Sequence, residues 1–323
     1  MFNSSFFLQN RHIQTLFATF FRKEKLEKVE EEHFTLPDGD FVESVWHNRK
    51  PNDTRPIVVI FHGLAGSVKS PYVIGLMKAL EKKGFASVLM HFRGCGRDAN
   101  LKPRAYHSGD TADAKAFIED LHKRYPFSEL HAVGFSIGGN MLLKLLGEWG
   151  KKSLLSSAVS VSAPMNLSIC ADTIEKGFAK NYQNYLLRPL KKSLLQKYEQ
   201  FNMESLLNIS QEEAGDIRTI REFDEKYTAK IHGFNSSDDY YSKCSAKQFL
   251  KNIKIPTLII HALDDPFMTP EILPKSDEVS KFISLEISKY GGHVGFVAGT
   301  FNEPIYWLDE KISNFFLNSY KEH

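Results

Sequence analysis

Six short β-type runs at similar spacing constrain the fold more than any other feature of this chain. Pro56-Ile57-Val58-Val59-Ile60-Phe61 is apolar on both faces, and it is followed by Ala86 to Phe92, Leu130 to Phe135, Ala158 to Ser162, Thr257 to His261 and Phe282 to Ile287. A strand wetted on one side alternates apolar and polar residues; a strand covered on both sides does not. Between most of these runs, Tyr72 to Lys83, Thr111 to Arg124, Ile137 to Gly147 and Pro304 to Tyr320 carry apolar residues three and four apart, which predicts helices. Alternating strand and helix predict a mostly parallel, doubly wound α/β sheet, with its strand carboxyl ends on one edge. Ahead of it, His33 to Leu36 and Phe41 to Trp46 alternate around Pro37-Asp38-Gly39, as an antiparallel hairpin does.

The rhythm breaks after Pro164. From about residue 164 to 250 the chain shows helical periodicity and no strong strand. A helical insertion there enters on the side of the strand ends, where it can serve as a cap over a site. All 323 residues thus read as a single domain bearing this insertion.

Its 42% hydrophobic and 25% charged residues exclude a disordered chain, and 41 Lys and Arg against 39 Asp and Glu, without a basic block, exclude nucleic acid as a partner. Cys95, Cys170 and Cys244 fit neither a disulfide framework nor a metal motif. No apolar stretch reaches the 18 residues of a membrane span and no signal peptide opens the sequence, so the expected location is cytoplasmic. The N-terminal segment, about residues 1–24, interleaves Phe2, Phe6, Phe7, Leu8, Ile13, Leu16, Phe17, Phe20 and Phe21 with polar residues. That pattern suits docking onto the protein's own body, with peripheral membrane contact as the alternative use.

Gly134-Phe135-Ser136-Ile137-Gly138 matches G-x-S-x-G where the chemistry needs it, directly after a strand and before a helix. Such a turn presents Ser136 above the sheet edge at a helix N-terminus. A serine hydroxyl needs a base to take its proton, and the base needs a carboxylate to fix its tautomer. Asp264 and Asp265 follow one apolar strand and His293, in Gly291-Gly292-His293-Val294-Gly295, follows the next. Counting from the strand end favours Asp265 as the acid, and a tighter turn would favour Asp264. Two backbone donors must stabilise an oxyanion: Ile137, next to the serine, and Leu64, in the His62-Gly63-Leu64-Ala65-Gly66-Ser67 loop after the first core strand.

These motifs resemble those of the α/β-hydrolase superfamily. Longer strings are similar to the YheT-like hydrolases and the related ABHD esterases and lipases: Asn10 to Leu16, His62 to Ser67, Phe92 to Gly96, Tyr106 to Asp110, Arg221 to Asp224, Asp264 to Phe267 and Gly291 to Phe296. The likeness runs from about residue 10 to the C-terminus. It implies the α/β-hydrolase fold, hydrolysis of carboxylic esters of small-molecule acyl substrates with no cofactor and no metal, and in some relatives acyl transfer to an alcohol or lysolipid. A ligand-binding protein without catalysis on the same fold is the third alternative.

Other polar residues have plainer readings. His62 is expected to brace the oxyanion loop, and His91, His107, His131 and His261 lack metal-ligand spacing and read as structural. Arg93, Gly94 and Gly96 shape a turn or a pocket rim. Cys95, beside Arg93 and Arg97, would favour its thiolate but has no base. Arg221, Glu222, Phe223 and Asp224 are expected to tie the insertion to the body through ion pairs. Phe and Leu residues of the N-terminus and insertion are core, or the lining of an acyl pocket.

Overall fold

A computed structural model describes residues 2–5, 8–49 and 54–321. Eight strands form one sheet: β1 (Val29–Thr35), β2 (Phe41–His47), β3 (Ile57–Phe61), β4 (Ala86–Met90), β5 (Leu130–Phe135), β6 (Ser157–Val161), β7 (Thr257–Ala262) and β8 (Ile283–Ser288), in spatial order β1-β2-β4-β3-β5-β6-β7-β8. The hairpin β1–β2 is antiparallel and joins β4 antiparallel; from β4 to β8 every pairing is parallel.

The both-face apolarity of the core strands has a direct cause. In β3, Ile57, Val59 and Phe61 enter one apolar cluster, with α3 (Thr111–Arg124) and α4 (Ile137–Trp149). Val58 and Ile60 point the other way, into a second cluster with α2 (Pro71–Lys82) and the C-terminal helix. Burying a Val or Ile side chain contributes roughly 1.5–3 kcal/mol, so one strand anchors two helical layers at once.

An N-terminal helix, α1 (Arg11–Phe21), docks on the body: Phe17 packs with Leu8 and Val297, while Gln14 is fully buried. One face of the amphipathic segment thus docks onto the protein's own body; Phe6 and Phe7 lie outside the described residues.

The helical excursion runs between β6 and β7 through α5 (Leu167–Ile174), α6 (Ala179–Gln200), α7 (Met203–Leu207), α8 (Gln211–Gly215), α9 (Ile220–Phe223), a π-helical turn (Asp224–Ala229), α10 (Lys230–His232) and α11 (Ser237–Cys244). It has an apolar core of its own, including Leu187, Leu194, Met203, Leu207, Phe223 and Tyr227. The chain is back on the body by Ala246, whose N–H donates to Asn140 Oδ1 at 2.9 Å.

One helix begins later than its periodicity suggests. Pro304–Tyr306 is a short strand, β10, paired antiparallel with β9 (Val297–Gly299), and only then does α12 (Trp307–Lys321) start. Arg221 also works differently from expectation. It binds Asp172 (2.7 Å), Asp238 (2.6 Å) and Ser168 (2.9 Å), all within the insertion, and Asp224 accepts from Tyr241 OH at 2.8 Å. The ties to the body come from residues that local sequence does not mark: Lys197 Nζ to Asn100 Oδ1 (2.8 Å), Tyr227 OH to the Pro103 carbonyl (2.8 Å) and the Ser108 amide to Tyr240 OH (2.9 Å).

Candidate active site

Three loops at the carboxyl edge of the sheet meet. β5 ends at Phe135, and Ser136 turns the chain into α4 with φ 53° and ψ −122°, a strained conformation for a residue with a Cβ. The turn holds because its N–H donates to the Val161 carbonyl at 2.9 Å and because the flanking glycines leave no bulk. A methyl group on Gly134 would collide with the Gly138 carbonyl, and one on Gly138 would lie 2.5–2.6 Å from the carbonyls of His62 and Phe61.

His293 Nε2 lies 3.0 Å from Ser136 Oγ, and His293 Nδ1 lies 2.8 Å from Asp265 Oδ2. Asp265 is buried at the end of β7, and its other oxygen accepts the Phe267 amide at 2.9 Å. With a proton on Nδ1 donated to Asp265, the Nε2 lone pair faces the serine hydroxyl. Asp264 turns elsewhere: its Oδ1 accepts the Gly292 amide at 2.9 Å, and burial raises its carboxyl above the usual range. The structure thus brings Asp265 to the imidazole and uses Asp264 to brace the histidine loop.

Leu64 and Ile137 line the same cavity as Ser136. The amides beside Leu64 are occupied, Gly63 N–H by Tyr72 OH (2.9 Å) and Ala65 N–H by Tyr106 OH (3.1 Å). Among the described residues, the Leu64 and Ile137 amides have no acceptor. Ile137 is the first residue of α4, where amides lack helical partners and the dipole favours negative charge. His62 braces this loop: Nε2 accepts the Phe92 amide (3.0 Å), Nδ1 meets the Gly63 carbonyl (2.6 Å), and burial holds its pKa down to about 3, so the ring is neutral.

Sequence reasoning missed how the histidine is held. Its N–H donates to Thr15 Oγ1 at 3.0 Å, and the next amide, Val294, donates to Ser162 Oγ at 3.1 Å. Gly292, at φ 57°, lies so close to α1 that a Cβ would sit 2.6 Å from the Arg11 carbonyl and 2.7 Å from Thr15 Oγ1. Gln14 clamps the far side, with Nε2 donating to the carbonyls of Val297 (2.8 Å) and Leu8 (2.6 Å) and Oε1 accepting the Val297 amide (2.7 Å). Phe267 stacks on the imidazole with centroids 4.0 Å apart, Tyr182 packs on Phe267, and Tyr182 OH bonds His12 Nδ1 at 3.0 Å. The signal was the Asn10 to Leu16 string, whose partners lie some 280 residues away.

The cavity wall is mainly apolar, with Leu167, Ile174, Leu186 and Phe223 from the insertion, and it carries Asp224 and Tyr241 at a polar patch. Cys170 also lines it, and burial raises that thiol to about 12. Cys95 departs from expectation. Arg93 is saturated by Asp38, Asp40 and Asp113, so it lends the thiol no charge, and burial raises Cys95 to about 12.

Residues 56–299 match the family model described as alpha/beta hydrolase fold. The putative esterase YheT of Escherichia coli is 42% identical over 314 residues, covering 97% of this chain and 92% of that one. Mouse phospholipase ABHD3 is 28% identical, covering 94% of this chain and 74% of its own. The Pyrococcus furiosus esterase Pf2001 superposes with a TM-score of 0.56 at 15% identity over 91% of this chain and 92% of that one. By its fold, its matched family model and its relatives, this chain belongs to the α/β-hydrolase-fold family.

Proposed function

We propose that this protein hydrolyses carboxylic esters of small acyl compounds through a serine nucleophile. Ser136 Oγ attacks the acyl carbonyl carbon while His293 Nε2 takes its proton, and Asp265 holds the imidazole's tautomer and stabilises the imidazolium. The Leu64 and Ile137 amides receive the oxyanion. Collapse expels the alcohol with the proton from His293, and water, deprotonated by the same nitrogen, releases the acid and restores Ser136. The observation that carries this reading is the unbroken hydrogen-bonded run from Ser136 through His293 to Asp265 at one end of an apolar cavity. The names of the relatives above, esterase and phospholipase, agree with it.

The test is labelling by a fluorophosphonate, followed by turnover of p-nitrophenyl esters of increasing acyl length. Labelling absent from Ser136→Ala, with kcat reduced by several orders of magnitude, is the expected result. A wild-type protein that folds and is not labelled would sink the proposal and favour ligand binding without catalysis. Transesterified product with added alcohol would identify acyl transfer instead.

Among the described residues no helix is long and apolar enough to cross a membrane. Ile13, Phe20 (66% exposed), Phe21 and Phe301 (59%) nevertheless form an outward apolar rim, with Phe21 and Phe301 rings 4.8 Å apart. This rim supports peripheral contact with a lipid surface, to be tested by liposome sedimentation of wild type against Phe20→Ser.

A further inference from the structure

We propose that Phe267 is a positioning residue for His293: its ring face holds the imidazole flat and stabilises the positive charge that the imidazole gains when it takes the Ser136 proton. The inference rests on the serine-nucleophile reading above and adds an electrostatic role to it. The two rings lie nearly parallel, with centroids 4.0 Å apart and planes inclined by 16°. That separation is well inside the roughly 6 Å at which an aromatic quadrupole attracts a cation over its face, and loss of water strengthens the attraction. Both partners have lost their water, Phe267 at 8% exposure and His293 at 9%.

A flat stack is also the arrangement that the chemistry leaves open. Nδ1 faces Asp265 at 2.8 Å and Nε2 faces Ser136 at 3.0 Å, so neither nitrogen can turn its N–H toward an aromatic face. The faces of the imidazole remain for a further contact, and Phe267 takes one. Local sequence fixes the ring there. The Phe267 amide donates to Asp265 Oδ1 at 2.9 Å, a turn closed by the acid's own side chain. Asp265-Pro266-Phe267 therefore delivers, in three residues, a carboxylate to the edge of the imidazole and an aromatic ring to its face. The insertion supports this ring in turn: Tyr182 of α6 packs on Phe267 with centroids 5.0 Å apart, and His12 of α1 stacks on Tyr182 at 5.8 Å.

The other titratable groups around the imidazole are Asp265 and Asp264 after β7, His261 on β7, Cys170 of α5, Tyr182 of α6, and Arg11 of α1, whose charge acts on Asp264. Burial lowers His261, raises Tyr182 and pushes Cys170 up to about 12, so these three are uncharged near neutral pH. All of them stay constant when only the electronics of the Phe267 ring are varied.

The experiment does this in the full chain, replacing Phe267 by mono-, di- and trifluorinated phenylalanine through amber suppression, which weakens the negative ring face stepwise at nearly constant size. For each protein the titration midpoint of the His293 imidazole is followed by NMR of isotope-labelled histidine, assigned with His293→Gln. Turnover of p-nitrophenyl butyrate is measured against pH on the same samples. The midpoint and the acidic limb of kcat/KM should move down together, by about one pH unit across the series, and the plateau kcat should fall about 10-fold. Phe267→Leu, which removes the ring face, should match the trifluorinated protein. A ring that only fills space would leave midpoint, limb and plateau unchanged through the series, and that result overturns the proposal. The midpoint is read without turnover, so the two readings fail separately. A midpoint that falls in a protein unable to cleave esters supports the ring contact and refutes the hydrolase reading; an active protein with a flat series does the reverse.

Discussion

Replacing Gln14 with leucine removes no atom of the site, yet it should disable it. Gln14 is fully buried, and its amide satisfies both backbone groups of Val297, at 2.7 and 2.8 Å, as well as the Leu8 carbonyl. A leucine fills similar space and satisfies none of them. Each buried backbone group left unpaired costs about 1–3 kcal/mol, so the two on Val297 alone amount to roughly 2–6 kcal/mol. The loss falls locally, on the packing of α1 against Gly291 to Val297, because the sheet core is untouched. Hydrogen exchange in residues 11–21 and 291–297 should accelerate by at least about 25-fold, while exchange in β3 and β5 stays as it was. Ester turnover should fall about 100-fold, since α1 also holds the His293 amide through Thr15 and an ångström of misplacement has that effect. Gln14→Glu should be worse near neutral pH, with a carboxylate facing two carbonyls, and should recover in part as the pH falls and the group protonates. Unchanged exchange together with turnover within two-fold of wild type would refute the clamp.

Three further outcomes follow from the same geometry. Asp265→Asn should lower kcat by about 10⁴-fold through loss of the imidazole's tautomer, and Asp264→Asn far less; comparable losses in ester assays would show that the acid is misassigned. Burial in the cavity wall raises Asp224 to about 6, above its value in the unfolded chain, so the folded state binds the extra proton and wild type loses stability as pH rises from about 4 to 6. Relative to Asp224→Asn, urea midpoints should show a loss on the order of 2 kcal/mol across that window, reduced from the full value by the cavity's solvent, and parallel profiles would contradict it. Arg93→Met takes the ion-pair partner from buried Asp40, which keeps only neutral donors from Asn100, Leu101 and Phe41, and leaves Asp113 with Arg104 at 3.3 Å alone; it should cost about 3 kcal/mol, read as a lowered melting temperature, and a melt matching wild type would show the cluster to be dispensable.

The sheet and the serine turn were legible because their causes are local. β3 announces its two-sided burial in five consecutive residues, and the glycines around Ser136 record the close passage of a strand and a helix. The choice between Asp264 and Asp265 was not legible, since it depends on the turn after β7, where the Asp265 amide bonds back to the Ala262 carbonyl at 3.2 Å. Arg221 and Asp224 suggested ion pairs but not their partners, because partner choice is set by how α5 and α11 pack. Pro304 to Tyr306 has helical spacing, and pairing with Val297–Gly299 overrides it.

The clamp between Gln14 and Val297 spans 283 residues of chain. At about 5–20 residues per second, a ribosome makes the first partner roughly 15–60 s before the second. For that interval α1 has nowhere to bury Phe17, and no nascent chain short of the histidine loop can be active. The helix that carries Phe17 thus stays without its native partner until residues made 283 positions later arrive, and the histidine loop takes its place only when the two meet.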